Sequence, residues 1–194
     1  MGKNYYSKRN LQFLLYEVFE VLSLTRHERF MKHDRQTFDM ILETAEGIAE
    51  KYLRPFLKDS DRNPPQLAHG QVKVHPALSN YYREFCDSGL LGATFNHEQG
   101  GIQLPDTVYA AADFIIGNAH NGFEMFTSLS KGGAKLIDTF GSKLLKEIYL
   151  SKILTGKWTA TMCLTEAQAG SSLSSITTAA YPNGDGVFRI KGQK

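Results

Sequence analysis

Apolar residues recur at helical spacing through most of this chain, and the pattern changes only near its carboxyl end. Leu11, Leu14, Leu15, Val18, Phe19 and Leu22 form one stripe and predict an amphipathic helix. A second stripe, Phe38, Ile41, Leu42, Ala45, Ile48, Ala49, Tyr52 and Leu53, predicts a long helix that Pro55 closes. From Asp59 to His75 the periodicity disappears and Pro64, Pro65 and Gly70 mark an exposed loop. Pro76 then suits the first turn of a short helix carrying Leu78, Tyr81, Tyr82 and Phe85, with Gly89 as its stop. Asp106 is the expected N-cap of a helix through Ala110, Ala111, Phe114 and Ile115, and another follows through Phe123, Phe126, Leu129 and Leu136. Ser142 caps a last helical run, Leu144, Leu145, Ile148 and Tyr149, ending near Gly156.

Beyond Gly156 the signals are those of strands. Trp158 to Leu164 is rich in Thr and bulky residues, Val187 to Lys191 alternates apolar with polar, and Pro182 to Gly186 reads as the turn before it. A domain boundary therefore falls near Gly156. No internal repeat or low-complexity tract lies on either side.

With 194 residues the chain can bury roughly 70% of its unfolded surface. A formal charge of +2 with scattered Lys and Arg leaves no nucleic-acid footprint. The Phe13 to Leu24 stretch is interrupted by Glu17 and Glu20 and lacks a cleavage site, so neither a signal peptide nor a membrane span is expected. The same glutamates oppose docking on anionic lipid, which leaves packing against its own domain or a second subunit. Cys86 and Cys163 fit no CxxC pair or disulfide framework and point to reduced, cytoplasmic thiols, with Cys163 as a small buried side chain.

The histidine spacings, His27 to His33 and His69 to His75, match no standard zinc pattern, so no metal site is expected. The Ser171-Ser172 and Ser174-Ser175 pairs have no GxSxG elbow, which removes hydrolysis. More informative is the run from Met162 to Ser172, MCLTEAQAGSS, where a strand-like stretch breaks into a turn of small residues. Ala169, Gly170 and Ser171 add little bulk, so main-chain amides can approach a phosphate or flavin carbonyl. Asn96 to Pro105, with Gly100 and Gly101 paired, is a second loop able to approach a ligand, although such glycines more often serve backbone geometry.

The Met162 to Ser172 run resembles the TEPxAGSD signature of the acyl-CoA dehydrogenase family. Glu98 to Pro105 is similar to that family's EYGGxGLP loop, and Gly184 to Lys194 to the strand ending in GxYxIxGxK. Residues 1–34 resemble the helical extension of a larger bacterial branch. The resemblance implies a mainly α fold, with a family-type helical domain over residues 35–156 and the first strands of a β-barrel domain over 157–194. It implies FAD as cofactor and oxidation of acyl-CoA to trans-2-enoyl-CoA in fatty-acid metabolism. An electron-transfer flavoprotein or similar acceptor and a homo-oligomeric state come with it. Met162, Cys163 and Leu164 would wall the isoalloxazine, Thr165 would face the flavin pyrimidine, and Gly170 and Ser171 would meet the pyrophosphate, with Ser171 also near the CoA substrate.

Several positions depart from the pattern. Ala167 replaces the usual proline, Ser172 the aspartate, and Gln99 and Gln103 stand for tyrosine and glycine. The family's catalytic glutamate matches nothing in this chain, so no catalytic residue is assigned, and Glu166 and Glu124 are read as structural. The chain is expected to be the N-terminal portion of a longer dehydrogenase, inactive alone, because an incomplete barrel leaves strand edges unpaired. A non-catalytic helical module and an acyl-CoA oxidase-like enzyme are the alternatives. Leu90, Phe95, Phe126 and Leu129 are candidates for an acyl pocket, ordinary core packing being the other reading.

Overall fold

A computed structural model describes residues 5–194. Two compact units emerge, one extending to Ala160 and the other spanning Thr161–Lys194. The first is helical. Helix α1, Lys8–Phe13, continues through a wider turn to Val18, and Glu20 in the left-handed region (φ 45°) ends it before a tight turn over Val21–Arg26. The expected single helix is therefore interrupted: Leu15 and Val21 are buried, whereas Val18 and Phe19 face solvent.

Helix α2, Arg35–Ile48, starts where Asp34 Oδ1 accepts the Thr37 amide at 2.7 Å, which satisfies one of the unpaired first-turn donors. Phe38, Leu42, Ala45 and Ile48 form its buried face, continued by Ala49 and Leu53. Pro55 ends this helix but begins the next helical turn, and α3 follows at Leu57–Arg62. Proline lacks only an N–H that a first turn leaves unbonded anyway, so it separates the helices without excluding the second.

The segment expected as a loop contains a hairpin. Strands β1, Gln66–Ala68, and β2, Gln71–Lys73, pair antiparallel with Ala68 opposite Gln71. His69 (φ 53°) and Gly70 (φ 75°) form the two-residue connection, whose positive φ angles match the right-handed twist of paired strands.

Helix α4, Ala77–Asp87, buries Leu78, Tyr81 and Phe85, and Gly89 (φ 79°) follows its end, both as expected. The long helix α5, Asp106–Phe140, begins one residue earlier than expected: Pro105 holds the N-cap position and Asp106 lies in the first turn. Its buried face is Val108, Ala111, Ala112, Ile115, Ile116 and Ala119, while Phe114, Phe126 and Leu136 remain exposed. The first half of α5 packs with α2, α4, Leu90 and Leu91 in one core. Farther along, Ala134 joins Phe95 and Leu150, Ile153 and Leu154 in a second cluster. The last two belong to α7, Ser151–Leu154, which follows the short α6, Lys143–Leu145, capped by the Ser142 hydroxyl.

His120 divides α5, with φ −166° and ψ 86° inside otherwise helical backbone. Its ring restores what the break removes. Nδ1 accepts the Phe123 amide at 3.3 Å, as a cap would, and Nε2–H is then left to donate to Ser60 Oγ at 2.7 Å. Ser60 Oγ–H donates to the Leu57 carbonyl at 3.1 Å, and the imidazole stacks on Phe123 with centroids 3.9 Å apart. The break falls between the two helical runs expected through Ile115 and from Phe123, with Gly122 just beyond it, next to the His120 ring.

Between α4 and α5 the backbone packs closely on itself. Leu104 and Ile102 donate to the Ala93 carbonyl, and Gln103 to that of Phe95. A side chain at Gly101 would strike the Phe95 and Gly92 carbonyls, so this glycine serves close packing. Gln103, where the resembling motif has glycine, sits at φ 55°. Both Ile102 and Gln103 carbonyls accept from His33 Nε2, at 2.8 and 3.2 Å.

The smaller unit holds strands β3, Ala179–Pro182, and β4, Phe188–Lys191, paired antiparallel with Ala179 opposite Lys191. Asn183 to Gly186 turns between them, with Gly184, Asp185 and Gly186 all at positive φ. Trp158 to Leu164, expected as a strand, pairs with nothing among the described residues, because strand composition forms no ladder without a neighbouring edge. Residues 157–160 group with the helical unit, where the Ala160 amide reaches Ser130 Oγ at 3.3 Å.

Two expectations follow for stability. Burial lowers the His120 pKa below its ordinary 6.5, so the unfolded chain takes up the proton first as pH falls. Stability will decrease as pH drops below 6.5 towards the folded-state value, and His120→Ala will flatten that slope at a cost of about 1–3 kcal/mol, measured by urea denaturation across pH. Conversely, Gln103→Gly will stabilise the helical unit by about 0.5–1 kcal/mol, the left-handed penalty less glycine's extra chain entropy, seen as a raised urea midpoint.

Candidate functional site

Thr165 to Ser171 is built around a small hairpin. Glu166 and Ala169 exchange backbone hydrogen bonds in both directions, at 2.8 and 3.1 Å, with Ala167 and Gln168 at the tip. Alternation places Glu166 inward and Thr165 outward. Glu166 is buried although ionisable, and Ala169 is buried beside it, while Thr165, Gly170 and Ser171 are exposed.

Donors saturate the Glu166 carboxylate. Oε2 accepts from the Thr177 amide at 2.8 Å, the Thr177 hydroxyl at 2.9 Å and Gln168 Nε2 at 2.8 Å. Oε1 accepts from the Thr178 amide at 2.9 Å and from Lys194 Nζ at 3.0 Å. Lys194 also donates to the Leu164 carbonyl at 2.9 Å. Backbone donation from Thr177, then the bonds from Thr178 and Lys194, hold this carboxyl far below the ordinary glutamate range. Such a group is a poor general base, since its lone pairs are engaged and its proton affinity is low.

The outer face has the opposite character. Among the described residues, the amides of Thr165, Gly170 and Ser171 donate to no protein acceptor, and the Thr165 and Ser171 hydroxyls have no protein partner. A side chain at Gly170 would meet no heavy atom within 4 Å, and its φ is not positive. Nothing among the described residues therefore requires glycine there. Unengaged N–H and O–H groups beside that open space suit the oxygens of a phosphate or a flavin carbonyl, so the donor set fits FAD.

Met162, Cys163 and Leu164 are likewise exposed. For Cys163 this overturns the expected burial: on an unpaired segment, no strand or helix covers the thiol. Cys86 is half-buried, its thiol pKa raised by burial. Ala167 does not leave the tip loose, because Gln168 Nε2 bonds to both Glu166 and Thr177 Oγ1. Local sequence flags Thr165, Gly170 and Ser171. The supporting Gln168, Thr177, Thr178 and Lys194 escape it because they converge on Glu166 only through the fold.

The proposed acyl-pocket residues do not share one cavity. Leu90 and Phe95 are buried in separate core clusters, whereas Phe126 lines a cleft of about 350 Å³ with Leu78, His120 and Phe123. Glu124 is buried in the helical unit, its pKa raised by burial and then by Asp113. Among the described residues, no three His, Cys, Asp or Glu side chains are grouped to hold a metal. No helix there is long and apolar enough to cross a membrane.

Comparison with known proteins bears on the whole chain. The family model for the acyl-CoA dehydrogenase N-terminal domain matches residues 35–157. A 3-methylmercaptopropionyl-CoA dehydrogenase of Ruegeria pomeroyi is 34% identical over 82% of this chain and 28% of its own length. A butyryl-CoA dehydrogenase of Syntrophomonas wolfei is 28% identical over 99% of this chain and 32% of its own. The chain thus spans less than a third of these curated relatives. The butyryl-CoA dehydrogenase structure from Megasphaera elsdenii superposes with a TM-score of 0.66 at 23% identity, covering 80% of this chain and 39% of that one, and so supports the fold. Helical domain, following strand pair and matched family model agree, and the chain belongs to the acyl-CoA dehydrogenase family.

Proposed function

We propose that this chain supplies the helical domain and flavin-facing turn of an FAD-dependent acyl-CoA dehydrogenase that oxidises acyl-CoA to trans-2-enoyl-CoA. The observation that carries the reading is the row of donors at Thr165, Gly170 and Ser171 that meet no acceptor among the described residues, exposed beside a glycine that the packing of those residues does not need. FAD, when bound, supplies the acceptor for the β-hydride.

Each residue of the turn then has a role of its own. Thr165 presents an amide and a hydroxyl to the flavin pyrimidine, where negative charge accumulates on reduction, and fixed donors stabilise such charge. Gly170 and Ser171 hold the pyrophosphate, Ser171 also touches the CoA portion of the substrate, and Met162, Cys163 and Leu164 provide the wall beside the ring. None of the chain's described side chains is assigned the α-proton, so by itself the chain is expected to be inactive. An electron-transfer flavoprotein or comparable acceptor, and assembly as a homo-oligomer, belong to the same reading.

Binding can be tested without turnover. Titrating FAD into the ¹⁵N-labelled chain should shift the Thr165, Gly170 and Ser171 amide resonances. Gly170→Ala should leave urea stability within about 0.5 kcal/mol, as expected for a substitution into open space. Its affinity for FAD should fall about tenfold, because the added methyl fills the space through which a ligand oxygen would reach the amide, a loss comparable to one hydrogen bond of about 1–1.5 kcal/mol. Absence of any shift in the parent chain at millimolar FAD would contradict flavin binding by this chain and leave it the scaffold half of a dehydrogenase or a non-catalytic helical module.

A further inference from the structure

A carboxylate removed from water needs compensating donors, and the origin of those donors reveals what Glu166 joins. Gln168 belongs to the hairpin itself, Thr177 and Thr178 lead directly into β3, and Lys194 lies past the end of β4. One side chain thus ties three stretches of sequence together. Lys194 reinforces the junction through the Leu164 carbonyl, immediately ahead of Thr165. Gly192 allows the chain to return, since a side chain there would collide with Thr178.

The exposed segment has little else to hold it. The only backbone hydrogen bonds within Thr165–Ser171 are the reciprocal pair between Glu166 and Ala169, and Met162, Cys163 and Leu164 lie in unpaired backbone. Such a hairpin is marginal alone. Charge-assisted bonds to one buried carboxylate are directional and roughly twice as strong as neutral ones, so they can select a single conformation.

We propose that Glu166 is a positioning residue whose carboxylate locks the Leu164–Ser171 segment so that the Thr165 and Gly170–Ser171 donors face outward together. It touches no ligand and acts through the turn. Its significance for flavin binding rests on the function proposed above, whereas the locking itself does not.

The test reads the two separately. Amide hydrogen exchange of the full chain is compared with Glu166→Gln, which keeps the shape but opposes an NH₂ to existing donors, and with Lys194→Met, a milder change that retains the carboxylate. Exchange at Glu166 and Ala169 should accelerate at least about tenfold in both variants, equivalent to about 1.4 kcal/mol, while the β3–β4 amides keep their protection. FAD titration should show a matching loss of affinity and weaker shifts at Thr165, Gly170 and Ser171. Exchange within about twofold of the parent in Glu166→Gln would overturn the proposal. So would unchanged FAD affinity and resonance shifts in that variant. If the parent binds no FAD yet the exchange difference is present, the lock stands and the flavin reading falls.

Discussion

Burying a negative charge imposes a demand that packing cannot meet, because every direction closed to water must be filled by a donor. At Glu166 that demand draws together Gln168, Thr177, Thr178 and Lys194, and the smaller unit takes its local order from the result. Two faces result. Inward-facing Glu166 takes its donors from Gln168, Thr177, Thr178 and Lys194, whereas the exposed Thr165, Gly170 and Ser171 meet no acceptor among the described residues and keep their donors unengaged.

The helical unit meets comparable demands with imidazole rings and hydroxyls. His120 interrupts α5 and then caps the new helical start with its own ring, while Ser60 accepts from Nε2–H and donates its own hydroxyl to the Leu57 carbonyl. His33 places one N–H between the Ile102 and Gln103 carbonyls. Where no polar group intervenes, glycine permits the approach: a side chain at Gly156 would collide with Cys86, and its φ of 72° disfavours one independently. The core clusters supply cohesion, and these few contacts determine where the backbone bends.

Periodic elements were legible from sequence because burial acts on them residue by residue. The α2 stripe and the Leu78, Tyr81, Phe85 face of α4 appear where the spacing places them, as does the turn before β4. The break in α5 was bracketed by the two expected helical runs, one through Ile115 and one from Phe123, and His120 falls between them. Strands β1 and β2 were hidden because they are only three residues each, too short for an alternation signal. Trp158 to Leu164 was over-read: it has strand composition, but pairing is non-local and no strand edge among the described residues lies beside it. The candidate site divides in the same way: its small, hydroxyl-bearing turn can be read locally, whereas the donors that hold Glu166 come from distant positions.

The ionisation of Glu166 is the most direct measure of this account. Its side-chain carboxyl ¹³C resonance, followed by NMR in a pH titration of the chain, reports whether the charge is held as described. A folded-state pKa depressed below 4.5 means that the stabilisation is complete above that value and is lost only as pH falls through the folded pKa. The account predicts a resonance that stays in its ionised position as pH passes through 4.5, then moves together with loss of the Glu166–Ala169 hairpin. Titration at or above 4.5, with the hairpin unchanged, would contradict it.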